Sequence, residues 1–309
     1  MAFTLIEYAK SEKDQLKRSV IETFAEEPLI ANIPLETIQG NAIEYNRESV
    51  LPGIAFRGVN EAYAESVGVW LPQKESLKIL GGDSDVDKAL IRWFGDGRRA
   101  SNLYEKVKAA RLYFLKMFID GDESTDPKQF DGLNRRIGTT GSQLIHADGA
   151  GTIGEELTEN MMQILEDAID GGPDMFIMGK ATLRQLSYLF KGSTILGFTD
   201  PNFFGHKVRT FDGIPIQILD KDNSGNTILD FDETEGSSSG TTASIYAVKF
   251  GAGTHLCGIQ SGPPETVDKG LLETKNVYRH NVEWYIGMSM YHPRCCARLK
   301  GILKQTGVL

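Results

Sequence analysis

The stretch RASNLYEKVKAARLYFLKMFI, residues 99–119, decides the fold of this chain. Its apolar side chains recur at steps of three and four residues, which places them on one face of an α-helix. These side chains are Leu103, Val107, Ala110, Phe114 and Met117. Ser101 is the expected N-cap, and Asp120-Gly121-Asp122 is the expected end. The spacing therefore predicts a helix of roughly six turns.

This predicted helix is strongly basic, whereas the chain as a whole is acidic. Between Gly97 and Ile119 there are six lysines and arginines and one acid, Glu105, while the whole chain carries a net charge of -9. The six are Arg98, Arg99, Lys106, Lys108, Arg111 and Lys116. A solvated outer face explains such charge, and contact with a polyanion is the alternative. The acidic balance argues against a sequence-specific nucleic-acid binder, which normally has a basic surface.

The composition is that of a globular protein with one large domain or two ordinary ones. The 309 residues are 40% hydrophobic and 24% charged, which favours a folded chain. Three cysteines, Cys257, Cys295 and Cys296, do not make a disulfide framework and indicate a reducing compartment. The first residues lack the regions of a signal peptide. No apolar run approaches the roughly 20 residues that span a bilayer, so no membrane contact is expected.

Two segments before the helix are expected to need partners. Residues 4–26 show helical spacing and predict an N-terminal arm that must pack on another element to persist, ended by Pro28 and Pro34. Its apolar positions are Leu5, Tyr8, Leu16, Val20, Ile21 and Phe24. Residues 31–81 predict an extended hairpin with a turn at 49–53 and polar residues on both faces. A hairpin without a core of its own normally lies on a neighbour, which is a first indication of assembly.

After the basic helix the pattern becomes that of a compact α/β region. The predicted elements are helices over 155–169 and 181–190 and strands over 175–178, 211–219 and 244–250. Gly236-Ser-Ser-Ser-Gly240 is expected to be a short flexible loop. From 282 to 290 apolar and polar residues alternate, which predicts a long half-buried strand. The chain is therefore predicted to be an α+β protein.

A glycine-rich stretch is a candidate nucleotide site. Gly149-Ala-Gly-Thr-Ile-Gly154 matches the dinucleotide fingerprint and precedes a predicted helix. However, Glu155 and Glu156 put negative charge where a pyrophosphate would bind. The strand that should end in an acid for the ribose ends instead in Met178-Gly-Lys180. A flexible entry to a helix is the better interpretation, and no cofactor is expected.

Two further clusters look like metal sites but lack what such sites require. Asp220-Lys-Asp-Asn-Ser-Gly225 copies the first half of a calcium loop, but Phe231 occupies the position of the bidentate glutamate, so a hairpin turn is predicted. The conceivable zinc ligands are His280, His292, Cys295 and Cys296. Adjacent cysteines cannot easily reach one tetrahedral ion. The chain has no GxSxG, HExxH or Walker sequence, and no enzymatic activity is predicted.

The order of these parts, together with four short phrases, resembles the major capsid proteins of tailed bacteriophages, which have the Hong Kong 97-like fold. The phrases are Phe130-Asp-Gly-Leu, Met178-Gly-Lys-Ala-Thr-Leu183, Phe211-Asp-Gly-Ile-Pro-Ile216 and His292-Pro-Arg-Cys-Cys-Ala. The resemblance covers nearly the whole chain. It implies a major head protein that self-assembles into the hexamers and pentamers of an icosahedral virion capsid. Such a shell encloses double-stranded DNA and is assembled in the cytoplasm of the host bacterium.

The resemblance also implies a role for each segment. The implied divisions are an N-terminal arm (1–30), an E-loop (31–81), a P-domain with a spine helix at 99–119 (82–150), an A-domain (151–266), and a P-domain return strand with the C-terminal segment (267–309). The E-loop would lie over the adjacent subunit. The residues expected to make that contact are Arg47, Glu48, Leu51, Phe56 and Arg57. The spine helix would lie on the inner side of the shell, with the six basic side chains named above facing the DNA.

Partners follow from the same resemblance, and two alternatives stay open. The expected partners are further copies of the chain, a scaffolding protein, a portal, a decoration protein and non-specifically bound DNA. An encapsulin nanocompartment would share the fold but enclose a cargo enzyme. A free α/β enzyme would have to bind a nucleotide at Gly149–Gly154.

Overall fold

The computed structural model describes residues 2–138, 141–190, 196–203 and 206–305. Within these ranges the helices are α1 (Leu5–Ser11), α2 (Gln15–Ala25), α3 (Pro28–Asn32), α4 (Lys88–Phe94), α5 (Gly97–Asp120), α6 (Leu133–Ile137), α7 (Glu159–Asp167) and α8 (Lys180–Leu189). The strands are β1 (Ala2–Phe3), β2 (Leu35–Thr37), β3 (Ala42–Val50), β4 (Val69–Ser76), β5 (Lys78–Asp87), β6 (Leu144–His146), β7 (Met175–Gly179), β8 (Leu196–Phe203), β9 (His206–Phe211), β10 (Ile214–Leu219), β11 (Glu233–Glu235), β12 (Ser238–Val248), β13 (Leu256–Gln260), β14 (Glu265–Leu271), β15 (Val277–Met290) and β16 (Cys296–Leu303). The chain combines helices with sheets whose strand pairs are mostly antiparallel, which confirms the predicted α+β class.

One sheet is built around the long strand β15, which runs for 14 residues. β13 and β14 pair antiparallel with one edge of β15. β5 pairs with its other edge, from Lys78 opposite Ile286 to Asp87 opposite Val277. β2 joins β13 in parallel, and β1 closes the sheet. The strand predicted over 282–290 is therefore confirmed, and it begins earlier than predicted, at Val277.

The second sheet has the strand order β6-β16-β12-β7-β10-β9-β8, with β11 paired to β12. β7 is buried at every position, as predicted for residues 175–178. Phe176 and Met178 share one hydrophobic core with side chains of α7 and α8, whereas Met175 and Ile177 belong to the core that contains α5. The alternating side chains of β7 thus place this sheet between the two cores.

The two sheets are interleaved along the chain. β13, β14 and β15 belong to the first sheet, whereas β12 before them and β16 after them belong to the second. β16 pairs with β12, and β13 lies beside β15. The divisions at 151–266 and 267–309 therefore do not follow the sheets. The predicted division into an A-domain and a P-domain, in which the P-domain already occupies two segments of the chain, stays a prediction.

The predicted central helix is confirmed as α5, and it is longer than its hydrophobic pattern indicated. It begins at Gly97 rather than at the expected cap, Ser101. Gly95 has a left-handed φ of +83°, which ends α4 and lets α5 start two residues later. The helix ends at Asp120 with Gly121 as its C-cap, as predicted.

The first core gathers around Trp284 of β15. The Trp284 ring centroid lies 5.3 Å from that of Phe114 in α5 and 5.2 Å from that of Phe24 in α2. The indole N–H donates a hydrogen bond to Oε1 of Gln260 at 3.0 Å, so the polar atom of this buried ring is satisfied. A single tryptophan therefore joins the long strand, the central helix and the N-terminal helices.

The N-terminal segment departs from the expectation of an arm that needs a neighbouring subunit. Leu5 and Phe24 are fully buried in the core of their own chain. Leu16, expected on the apolar face, is exposed. Pro28 does not end the helical region but begins α3, because proline suits the first turn of a helix. The helices of this segment are therefore covered by the chain itself.

Two predictions in the compact region are wrong in detail. The helix predicted over 155–169 begins only at Glu159, because Thr158 caps it. The stretch 236–240 is not a flexible loop, since β11 and β12 pair directly across it and β12 begins within it. The remaining predicted helix and strands there are confirmed as α8, β10 and β12.

Candidate assembly interface

The hairpin predicted within 31–81 is present and forms a sheet of its own. β3 and β4 pair antiparallel from Ala42 opposite Ser76 to Val50 opposite Val69. β3 has nine residues, which gives it a length of roughly 30 Å. Residues 51–68, which we call the tip, join the two strands and contain neither helix nor strand.

The tip is more apolar than the sequence analysis predicted, because that prediction was based on the polar residues of the strands. Six large apolar side chains are exposed there, and those of Ile54 and Phe56 are as accessible as in an extended chain. The six are Leu51, Ile54, Phe56, Val59, Tyr63 and Val67. Single exposed apolar residues are ordinary, but a group of this size on one segment marks a surface that binds another molecule. The tip therefore has the composition of an interface.

A buried arginine fixes the base of the hairpin to the body. The Arg136 guanidinium donates two hydrogen bonds to the carboxylate of Glu75 in β4, at 2.6 and 2.9 Å. It also donates to the backbone carbonyl of Met288 in β15 at 2.7 Å. The Arg136 side chain is only 7% exposed. A bidentate pair fixes orientation as well as distance, so this contact sets the direction in which the hairpin leaves the body.

A tyrosine attaches the other strand of the hairpin. The Tyr45 hydroxyl in β3 donates to the carbonyl of Met290 at 3.0 Å and accepts from the N–H of the same residue at 3.2 Å. The ring of Tyr45 lies 4.5 Å from that of Tyr291. Burial raises the pKa of Tyr45. Both strands of the hairpin are therefore held at the same end of β15.

The residues predicted for subunit contact lie on β3 and the tip. They are Arg47, Glu48, Leu51, Phe56 and Arg57. For Glu48 the structure describes the backbone alone. Arg57 is held within the tip, since its guanidinium lies 5.1 Å from the ring centroid of Tyr63. The sequence reasoning missed Ile54, Val59, Tyr63 and Val67, whose signal was a run of large apolar residues without a strand or helix period. Contact of these residues with another subunit stays a prediction.

Half of the predicted basic strip is used in ion pairs within the chain. The pairs are Arg99 with Asp268 at 2.7 Å, Arg111 with Glu26 at 2.6 Å and Lys116 with Asp222 at 2.8 Å. The Asp222 side chain is 1% exposed. Its hydrogen bond raises the pKa of Lys116. Each of these three cations therefore has an acidic partner within the chain, which reduces the charge that it offers to a polyanion.

The other three basic side chains have no ion-pair partner among the residues that the structure describes. Arg98 and Lys108 are exposed, whereas Lys106 is half-buried. A Cβ at Gly82 of β5 would lie 2.7 Å from Cε of Lys106, so the glycine leaves room for the lysine stem. Contact with DNA stays a prediction, and among these six it now depends chiefly on Arg98 and Lys108.

The glycine-rich stretch does not form a nucleotide site. The carboxylate of Asp148 accepts hydrogen bonds from the backbone N–H groups of residues 150–153 and from the hydroxyl of Thr152. The Thr152 hydroxyl and these N–H groups hold the pKa of Asp148 well below its usual value. Such N–H groups are what a phosphate would need. In addition, the next helix begins only at Glu159. The backbone donors that a nucleotide would need at Gly149–Gly154 are therefore already used within the chain.

Neither candidate metal cluster converges on an ion. Residues 220–225 form the predicted turn, across which Lys221 bridges to Thr227. The sulfur atoms of Cys295 and Cys296 are buried 3.6 Å apart, and their hydrogen bond together with burial raises the pKa of Cys296, which disfavours the thiolate that zinc needs. Among the described residues, no three His, Cys, Asp or Glu side chains are placed to hold a metal ion.

Comparison with known proteins finds the fold among solved structures only. Neither a protein-family model nor a curated protein sequence matches the chain. The SrpI encapsulin from Synechococcus elongatus has a TM-score of 0.65 and 12% identity, with 90% of this chain and 88% of that chain covered. The capsid of an empty GTA particle has a TM-score of 0.59 and 12% identity, covering 87% of each chain. A structure from Mycobacterium phage Bobi has a TM-score of 0.59 and 9% identity, covering 90% and 89%.

The chain therefore has the Hong Kong 97-like fold, as predicted. Capsid and encapsulin subunits share this fold over nearly their whole length with the present chain. In the part of the chain that the structure describes, no helix combines the length and apolar character that crossing a bilayer requires.

Proposed function

We propose that this chain is the major capsid protein of a tailed bacteriophage. Its copies form the hexamers and pentamers of an icosahedral shell around double-stranded DNA, and the assembled protein is located in the virion capsid. The observation that carries this function is the hairpin, which has no core of its own and exposes six large apolar side chains at its tip. In this assignment β3, the tip and β4 are the E-loop, and α5 is the spine helix.

Burial of the tip supplies a driving force for assembly. A large apolar side chain gains roughly 1.5–3 kcal/mol when it moves from water into a packed interface. Docking also costs translational freedom and side-chain order, so one such residue would not hold two subunits together. Six such side chains on one segment offset part of that cost at each contact between neighbouring subunits of a ring.

An encapsulin-type compartment is the second candidate, favoured by the TM-score of 0.65 with the SrpI encapsulin. The content of the particle separates the two. The tailed-phage phrases of the sequence and the exposed Arg98 and Lys108 on α5 support DNA, since phosphate attraction needs only positive charge. Particles isolated from cells or lysates in which the chain is naturally made should contain nuclease-protected double-stranded DNA. A protein cargo without DNA would favour the encapsulin.

Replacing residues 51–68 by a short Gly/Ser linker tests the shell function. The replacement keeps β3 and β4 with their attachments at Tyr45 and Glu75, so circular dichroism and urea unfolding should match those of the unaltered chain. The unaltered chain should form rings and closed shells in sedimentation and negative-stain microscopy. The shortened chain should stop at monomers or small rings.

Point variants on the same segment provide the matched control. The combination Leu51→Ser, Ile54→Ser and Phe56→Ser should block closed shells, because it removes the large apolar groups. The combination Asn60→Ser, Ala62→Ser and Ala64→Ser should leave assembly unchanged. Normal shells from the shortened chain would refute the role of the hairpin. A monomer from the unaltered chain at high concentration, with and without a scaffolding protein, would refute the shell itself.

A further inference from the structure

A groove of about 410 Å³ lies between β5 and α5. Its floor consists of core side chains, because Phe114, Met117 and Ile286 line it and all three are buried. Leu80 and Tyr113 are half-buried and extend this apolar lining. Small-molecule sites are typically clefts of roughly 300–1,000 Å³ with a mainly apolar lining and a few polar groups. The groove therefore has the size and the lining of a small-molecule site.

The groove is positively charged, although the chain as a whole is acidic. Lys106 and Lys128 line it, and neither has an ion-pair partner among the described residues. A third lysine of the lining, Lys78, is used in an ion pair. Asp126 also lines the groove, but its carboxylate accepts hydrogen bonds from the N–H of Lys128 at 3.0 Å and from the side-chain amide of Gln129 at 3.4 Å. Three lysines and one aspartate give the lining a net charge of +2, which favours an anion.

A glycine keeps the ammonium group of Lys106 at the groove. A Cβ at Gly82 of β5 would lie 2.7 Å from Cε and 2.9 Å from Nζ of Lys106. Because glycine has no side chain, the end of the lysine can lie beside the backbone of β5. This places a half-buried positive charge without an acidic partner next to an apolar floor. Such a charge is costly to keep unpaired, and an anion that accepts its hydrogen bonds would stabilise it.

We propose that the groove between β5 and α5 binds a small amphipathic anion, a single-chain fatty acid. The hydrocarbon tail packs on Phe114, Met117 and Ile286, and removal of its apolar surface from water supplies the main driving force. The carboxylate accepts charge-assisted hydrogen bonds from the ammonium groups of Lys106 and Lys128. The site lies outside the hairpin and does not depend on the proposed shell function.

Isothermal titration calorimetry with dodecanoate, kept below its micelle concentration, tests this site. The full chain, at low protein concentration, should show a single saturable site. Dodecyltrimethylammonium has the same tail but cannot accept hydrogen bonds from lysine, so it should bind roughly tenfold more weakly or less well still. The chain in which a linker replaces residues 51–68 has the same groove and should bind dodecanoate equally.

Variants of the lining separate the two parts of the ligand. Lys106→Gln with Lys128→Gln should weaken dodecanoate binding roughly tenfold or more, because both charged donors are lost. The matched control is Lys88→Gln, which changes an exposed lysine of α4 outside the groove and should leave the affinity unchanged. Ala109→Phe places a large side chain in the groove and should also weaken binding, because it takes the space of the tail. Circular dichroism of each variant shows whether the subunit is folded.

A photoactivatable fatty acid locates the site without any variant. A diazirine at the end of its tail should label peptides that contain residues 78–82 or 106–117 of the unaltered chain, and labelling elsewhere would overturn the assignment. So would the lack of saturable dodecanoate binding by both the unaltered and the shortened chain, equal binding of the cationic analogue, or an unchanged affinity in a folded double lysine variant. Phosphatidylglycerol vesicles that bind the chain when dodecanoate does not would overturn it in favour of a membrane surface. If the variants do not fold, the position of the label decides.

Discussion

Replacing Arg136 of α6 should cost far more stability than replacing an exposed cation of the hairpin that it holds. Arg136→Ala leaves the Glu75 carboxylate and the Met288 carbonyl without their donors. Removing one partner of a buried ion pair typically costs roughly 3–5 kcal/mol. Because the Glu75 side chain is 17% exposed and can recruit water, we expect the lower end, about 3 kcal/mol.

Urea unfolding of the unassembled subunit, followed by tryptophan fluorescence, measures this loss. Glu75→Ala should cost less, because Arg136 keeps its hydrogen bonds to the carbonyls of Asp131 and Met288. A double-mutant cycle of the two should show a coupling of roughly 1–3 kcal/mol. The matched control is Lys74→Ala in the adjacent exposed pair with Glu44.

The control variant defines how small a loss of stability would contradict the prediction. Exposed pairs contribute at most about 1 kcal/mol, so Lys74→Ala should barely change the free energy of unfolding. If Arg136→Ala falls within about 1 kcal/mol of Lys74→Ala, the buried pair does not hold the base of the hairpin. Arg136→Ala subunits that stay folded should also form irregular particles, since the direction of the hairpin is no longer fixed.

Further predictions concern α5 and the turn before α7. Lys116→Met should lower the unfolding temperature because it leaves buried Asp222 without its cation, whereas Lys108→Met should stay within about 0.5 kcal/mol; equal effects would contradict this. Asp148→Ala should destabilise the chain at pH 7. Because folding lowers the pKa of Asp148, its carboxylate stabilises the folded chain above about pH 4, and this stabilisation declines in stronger acid. A difference in unfolding temperature that does not change with pH would contradict this prediction. Arg98→Gln with Lys108→Gln should preserve shells but reduce their nuclease-protected DNA; unchanged DNA content would make α5 an ordinary solvated face.

Local signals in the sequence were sufficient for most elements. The three- and four-residue spacing from Leu103 to Met117 predicted α5, and the apolar run at 175–178 predicted β7. The turn at 220–225 followed from residue types that favour turns. Each of these depends on side chains within one or two turns of backbone, which a single sequence displays directly.

Long-range pairing was not visible in the same way. Arg136 and Glu75 are 61 residues apart, and Lys116 and Asp222 are 106 apart. Pairs at such separations leave no period in the sequence, so the base of the hairpin was not predicted. For the same reason, counting the basic residues of α5 overstated how many of them lack an acidic partner.

The order of synthesis has a consequence for when a subunit can first bind its neighbour. β15 is the strand on which β5, β13 and β14 pair, and β16 lies between β12 and β6. On the ribosome the hairpin is complete once Ser76 has emerged, whereas both sheets wait for residues after Val277. We expect nascent chains on one mRNA to expose their tips long before any of them has a folded body to which a tip could bind. Assembly of subunits would then be delayed until each finished chain leaves the ribosome. Prematurely terminated chains would be excluded from the particle.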